Sequence, residues 1–250
     1  MLLAVLLFAV MILFYMLSKS SITRAIDKNY SLMLSQITTI MDAHLNNGKT
    51  IASGFFNDRN IKDIATNGKD RFSLRSVDSA IHIKIELERY SLLFRDANSA
   101  FIFFPEAELL ISADGIRRLD LFSLTENTYD FESGLMESIT AGKELEECMV
   151  GGNYITLTIP VSIGKNRAYL VYPTSYTWVQ KNALTEAFAD SSNGTVFAIA
   201  LNKNVYVNQN GNFTLIGTAN ELKSDDMIWL SETTDAAGLS LMIGVPTDEY

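Results

Sequence analysis

The chain contains one cysteine, Cys148, in 250 residues. It can form no intrachain disulfide, which excludes a disulfide-stapled eukaryotic ectodomain and leaves an exported bacterial domain open. Its acidic neighbours Glu146 and Glu147 disfavour the thiolate, which argues against a cysteine nucleophile. The two histidines, His44 and His82, show neither H-x-x-x-H nor H-x-x-E spacing, so no metal site is expected. Basic residues are also scarce: 20 Lys and Arg stand against 29 Asp and Glu, a net charge of -9, and no stretch is rich in Lys or Arg. Nucleic-acid contact by these residues is therefore not expected, because that affinity rests on cationic side chains neutralising phosphates. The acidic balance suits a solvated outer surface. At 48% hydrophobic and 20% charged, the composition is that of a globular protein and not of a disordered one.

Catalytic motifs are missing too. Asn46-Asn47-Gly48-Lys49-Thr50 imitates the end of a phosphate-binding loop, but Ala43 stands where the first glycine belongs, and the segment lies in a helical pattern. Ser162 and Lys165 have the S-x-x-K spacing of serine acyl-enzymes, yet they fall at a hairpin tip instead of on the first turn of a helix. No enzyme activity, catalytic residue or cofactor is expected from these residues.

The most pronounced positive feature is the apolar run MLLAVLLFAVMILFYML over residues 1–17. At about 1.5 Å rise per residue it makes roughly 25 Å of helix, just enough for a hydrocarbon core of about 30 Å. No basic residue precedes it, no A-x-A-like site follows, and no cysteine lies nearby, so a retained membrane anchor is favoured over a cleaved or lipidated signal. Lys19, Arg24 and Lys28 follow the run, a bias that by the positive-inside rule puts the bulk of the chain in the cytoplasm. The expected topology is the reverse, with the bulk extracytoplasmic at the cell membrane, on the premise that residues carrying a basic flank precede the given chain.

Beyond the run, Ile22, Ile26, Tyr30, Met33, Ile37, Ile40 and His44 recur at steps of three and four, up to a stop signal at Asn46-Asn47-Gly48. This predicts one helix with an apolar stripe, covered either by the folded chain or by a second copy in a dimer. Short helical pieces follow over 49–72, broken at Gly54, Asn57-Asp58 and Asn67-Gly68. A second long helix is predicted over about Ser73 to Arg95, with Val77, Ile81, Ile85 and Leu92 as its apolar face.

From Ala100 the period becomes that of strands, and the strands repeat. FIFFPEAELLISADG at 101–115 is echoed by FAIALNKNVYVNQNG at 197–211, and YITLTIPVSIGKNRAYLVYPT at 154–174 by MIWLSETTDAAGLSLMIGVPT at 227–247. Two hairpins recur in the same order, with a shorter connection in the second unit. A helix is predicted near Glu132 to Ile139 in the longer connection. Trp178 to Ala189 reads as a helix joining the units, ended by the breakers Asp190 to Gly194.

This order of features, with the segments RYSLLFRDANSA, FIFFPEAELLISADG, YITLTIPV, AYLVYPTSY and IWLSETTDAAGLSLMIGVP, resembles the double-Cache extracytoplasmic sensor region of bacterial transmembrane receptors. It is most similar to the kind found before AraC-type DNA-binding regulators and sensor histidine kinases. The resemblance covers residues 1–250 and implies an α+β fold. A transmembrane helix over 1–17 and a membrane-emergent helix over 18–46 would precede a membrane-distal PAS-like module over 47–176 and a smaller membrane-proximal one over 177–250. Each module would be an antiparallel sheet flanked by helices. It further implies a small-molecule ligand in the distal module, relay through the proximal one, and a homodimer formed through the long helix. No output domain is present, so a second membrane span and an output domain are expected beyond Tyr250.

A ligand pocket needs apolar and aromatic walls with a few aimed polar groups. Candidates are Arg89, Tyr90 and Arg95 on the second long helix and Tyr154, Tyr169 and Tyr172 on the strands. Amino-acid-binding members of the family carry a helix Arg with a nearby Trp. Arg89 matches the Arg, but neither Trp178 nor Trp229 falls in the pocket-forming stretch. A membrane-anchored envelope scaffold without a small ligand is the alternative from another functional class.

Overall fold

A computed structural model describes residues 2–56, 58–67, 74–94, 100–107, 109–118, 147–162, 167–184, 194–209, 212–218, 221–222 and 227–247. The helix predicted near Glu132 to Ile139, the candidate Arg95 and the tip at Ser162 to Lys165 lie wholly or mainly outside these residues.

Helix α1 (Leu2–Phe55) runs unbroken for 54 residues, about 80 Å at the usual rise. Its predicted stripe faces the core: Tyr30, Ile37 and His44 are buried, and Ile26, Met33 and Ile40 are half-buried against the same cluster. Only Ile22, on the turn nearest the apolar run, is exposed. The folded chain therefore covers the stripe itself.

The stop predicted at Asn46-Asn47-Gly48 is not used. A Cβ on Gly48 would lie 2.9 Å from the Tyr172 ring, so glycine is there to let a strand side chain lie against the helix backbone. Glycine costs a helix interior about 1 kcal/mol relative to alanine, which the burial of Leu45 and Ile51 on either side outweighs. The helix ends seven residues later, just past Gly54, and the side chain of Asp58 then starts α2 (Arg59–Asn67) by accepting the N–H groups of Asn60 at 2.7 Å and Ile61 at 3.2 Å.

Helix α3 (Leu74–Leu93) matches its predicted span to within two residues, but its predicted face is wrong. Ser76, Ala80, Ile83 and Leu87 are buried, while Ile81, Ile85 and Leu92 are exposed, Leu92 to 85%. The helix carries two apolar stripes, and the narrower one, built from smaller residues, fits against α2 and the sheet.

Two antiparallel sheets follow. Sheet 1 has the order β3-β2-β1-β6-β5-β4, from β1 (Phe101–Phe104), β2 (Leu109–Ser112), β3 (Gly115–Arg118), β4 (Cys148–Gly151), β5 (Tyr154–Ser162) and β6 (Ala168–Ser175). Sheet 2 has the order β10-β11-β7-β8-β9, from β7 (Val196–Leu201), β8 (Asn204–Gln209), β9 (Asn212–Thr218), β10 (Met227–Thr233) and β11 (Ser240–Pro246). In each, the first three strands form a meander, and the first strand pairs with the last (β1 with β6, β7 with β11). The echoed segments are β1–β2 with β7–β8 and β5–β6 with β10–β11, and β4 is the extra edge strand of sheet 1. The β7–β8 turn holds Asn202 and Lys203 at φ 52° and 73°, the two left-handed positions of a two-residue hairpin turn.

Helix α4 (Tyr176–Val179) opens on Ser175, whose hydroxyl accepts the Trp178 N–H at 3.2 Å, and continues as a π turn over Gln180–Leu184. The rest of the predicted joining helix, 185–189, lies outside the described residues. One core cluster joins α1, α2, α3, the near face of sheet 1 and sheet 2.

Among the described residues no helix is long and apolar enough to cross a membrane. The transmembrane span expected over 1–17 is thus unsupported there. The side chains of residues 2–6 and 9, the most apolar part of that run, lie outside the description, and those described from Leu7 to Leu17 are exposed.

Candidate functional site

The central strands of sheet 1 are apolar on both faces, as FIFF and AYLVY show, and such runs belong to strands covered on both sides. Register divides the residues. Ile102, Phe104, Leu109, Ile111, Ile155, Leu157, Leu170 and Tyr172 face the helices and join the main core. Phe101, Phe103, Leu110, Tyr169 and Val171 face the other way and form a separate buried cluster, with Met149 against it. No residue of α1 to α4 belongs to that second cluster.

Strand β5 adds hydroxyls to this second face. Thr156 lies opposite Met149 and Pro173, and Thr158 opposite Val171. Both threonines are buried, and Thr158, 2% exposed, has a hydroxyl with no hydrogen-bond partner among the described residues. An unsatisfied buried hydroxyl costs about 1–3 kcal/mol, so it marks either a tolerated loss or a place where a partner arrives from elsewhere. At the rim, Arg117 on β3 lies opposite Leu110 and is exposed. A buried aromatic and aliphatic cluster with a polar hydroxyl among it is the kind of lining that a small-molecule site uses.

The sequence candidates separate on this geometry. Tyr169 is in the second cluster, and Tyr154, opposite Gly151 and Ser175, is half-buried on the same face. Tyr172 is on the helix side, fully buried, with its ring 5.1 Å from that of His44 and pressed onto Gly48. Tyr90 is packed between Phe55 and Phe94, at centroid distances of 5.7 and 6.4 Å, with its hydroxyl over Gly54. Arg89 is exposed and paired with Glu86 one turn back, which makes it a solvated surface residue. Neither Arg89 nor Tyr90 reaches the second face of sheet 1, because α3 packs on the other one.

Thr156, Thr158, Phe101 and Phe103, which share this face, are not among the sequence candidates. The signal was there: a strand with no polar face, and a Thr-x-Thr pair inside an otherwise apolar strand.

His44, read only as the last residue of a stripe, is a buried joint. Its ring stacks on Trp178 at 3.7 Å, and its Nε2 shares a hydrogen bond of 2.9 Å with Thr174 Oγ1. Tyr176, next along α4, has its pKa raised by burial. Among the described residues no group of His, Cys, Asp or Glu is arranged to hold a metal ion, and Cys148 is buried on the helix side of sheet 1.

The fold defines an α+β protein with two antiparallel sheets of related topology on one long helix. No protein-family model matches the sequence, and no curated protein matches it either. Among solved structures it is similar to the sensor domain of the V. cholerae histidine kinase DctB, at 9% identity and a TM-score of 0.47, over 90% of this chain and 98% of that one.

Proposed function

We propose that the chain is the extracytoplasmic small-molecule-sensing region of a bacterial transmembrane receptor, with sheet 1 as its ligand module. The observation that carries this reading is the second face of sheet 1, where a buried aromatic cluster shares the face with the Thr158 hydroxyl, which has no partner among the described residues. The repeated sheet topology supports a Cache-like arrangement of two modules. Residues 1–17 act as the membrane anchor, in keeping with the exposure of every described side chain from Leu7 to Leu17. The core-facing stripe of α1 is used up within the chain from Ile26 onward, so a homodimer through this helix uses another side, where Leu32 is exposed.

Ligand binding to the folded state raises its melting temperature by mass action, so the test is a thermal-shift screen of a soluble form beginning at Ser18. A start at residue 46 would delete the buried Tyr30, Leu34, Ile37, Met41 and Leu45. The expected result is a melting shift with one class of small molecules that Thr158→Val abolishes. A screen in which hits shift both proteins equally overturns the assignment of this face. The exposed apolar residues Ile81, Ile85, Leu92 and Leu93 on α3 favour one second reading, a membrane-anchored interaction protein. That reading gains if no small molecule stabilises the chain.

A further inference from the structure

The two sheets touch edge to edge at a single bridge among the described residues. Gly152, just past the end of β4, pairs antiparallel with Phe213 of β9, and the Phe213 N–H donates to the Gly152 carbonyl. Gly152 has φ +53°, a left-handed turn in which a glycine is unstrained and through which its carbonyl comes to face sheet 2. The next residue is held as well, because the Tyr176 N–H donates to the Asn153 carbonyl at 2.8 Å. The ring of Tyr176 then meets that of the buried Phe213 edge-on, at 5.3 Å and 87°. Residues 151–154 are thus a three-way joint of the β4–β5 turn, the start of α4 and the edge of sheet 2.

Sheet 2 has a second, separate support. Asp42 of α1 accepts the backbone N–H groups of Asp235 and Ala236, at 3.2 and 2.8 Å, in the β10–β11 turn. One hold is on β9 at one edge of the sheet and the other is at the β10–β11 end, and between them Ile199, Leu241 and Ile243 join the core shared with α1.

We infer that the Gly152–Phe213 bridge relays the state of the candidate ligand face to sheet 2, in parallel with α1. The inference rests on the sensing role proposed above. The connection is short: Met149 on β4 and Thr156 and Thr158 on β5 border the face, and Gly152 joins those strands. A ligand that draws β4 and β5 together shifts Gly152, and β9 follows through one backbone hydrogen bond and one aromatic contact. Coupling of this kind needs two ends that share a stiff element, which the β4–β5 hairpin supplies.

Hydrogen exchange of the full chain in detergent micelles tests the relay without a ligand. Met149→Ala loosens the face at β4 and is expected to speed amide exchange across β9 about threefold or more, the scale of coupling between residues in contact. In a Phe213→Leu background, which keeps the backbone bridge and loses the ring contact, the same substitution is expected to move β9 less. Tyr176→Leu removes the ring contact from the other side and should weaken the coupling in the same way. Unchanged β9 exchange on Met149→Ala, or an equal change in all backgrounds, overturns the inference. A failed ligand screen leaves this measurement intact, and absent coupling leaves a positive screen intact, so the two ideas fail separately.

Discussion

Asp42 and His44 stand two residues apart on α1 and hold different sheets: the Asp42 carboxylate accepts two N–H groups from the β10–β11 turn of sheet 2, while His44 bonds Thr174 of sheet 1. Positions two apart on a helix point in widely separated directions, so a single turn of α1 sets the angle between the sheets. The helix is less a tether than the common axis of both lobes.

Asp42→Ala removes the acceptor of two turn amides, a loss comparable to removing a helix cap, about 1–2 kcal/mol. Hydrogen exchange should become faster at Asp235 and Ala236 and in the adjoining ends of β10 and β11, with sheet 1 protected as before. Faster exchange throughout the chain would mean that Asp42 serves the whole core and not one sheet.

Gly48→Ala sets helix propensity against packing. Alanine gains about 1 kcal/mol in a helix interior, but its Cβ would meet the Tyr172 ring at 2.9 Å, and that ring is buried with no space to withdraw. Destabilisation is expected, of about 1–3 kcal/mol, relieved when Tyr172→Leu is added. The melting temperatures of the two variants and the double variant decide it.

Thr158→Val replaces an unpartnered buried hydroxyl with a methyl group of the same shape. The folded protein should gain stability, by up to about 1–3 kcal/mol, since the orphan group no longer has to be stripped of water. Chemical denaturation gives the number. A loss of stability would show that the hydroxyl already has a partner in the folded chain.

Tyr176 has a pKa raised above the usual value near 10.0 by burial. The folded state therefore prefers the neutral phenol, and the stability this preserves is present below the unfolded pKa and lost as pH rises through the folded one. Alkaline denaturation should begin above about pH 10, and Tyr176→Phe should flatten the fall in stability there. An identical alkaline profile for the two proteins would exclude Tyr176 as its source.

Much of the fold was legible in the sequence because it is written as local periodicity. The seven-residue stripe of α1, the extent of α3 and the two repeated hairpin pairs all followed from the spacing of apolar side chains, and the echo anticipated strand neighbours far apart in the chain. Errors arose where one residue type serves two purposes. Gly48 reads as a helix stop, yet its missing Cβ makes room for Tyr172, which lies 124 positions away. Ile81, Ile85 and Leu92 read as the core face of α3, yet Ala80, Ile83 and Leu87 fill it, because which stripe is covered depends on where α2 and β2 lie and not on the helix alone. The site was the least legible part. Arg and Tyr residues stand out in the sequence, whereas Thr158 becomes notable only in three dimensions, as a buried hydroxyl without a partner among the described residues.

By itself the sequence determined that α1 and α3 are long helices and that two pairs of hairpins repeat in order, since period is a property of the chain alone. Only the tertiary structure decided which stripe of α3 is covered, that sheet 1 has a second buried face, and that the sheets meet at Gly152 and Phe213. Those are outcomes of three-dimensional competition for volume and for hydrogen-bond partners, and no stretch of neighbouring residues contains both competitors.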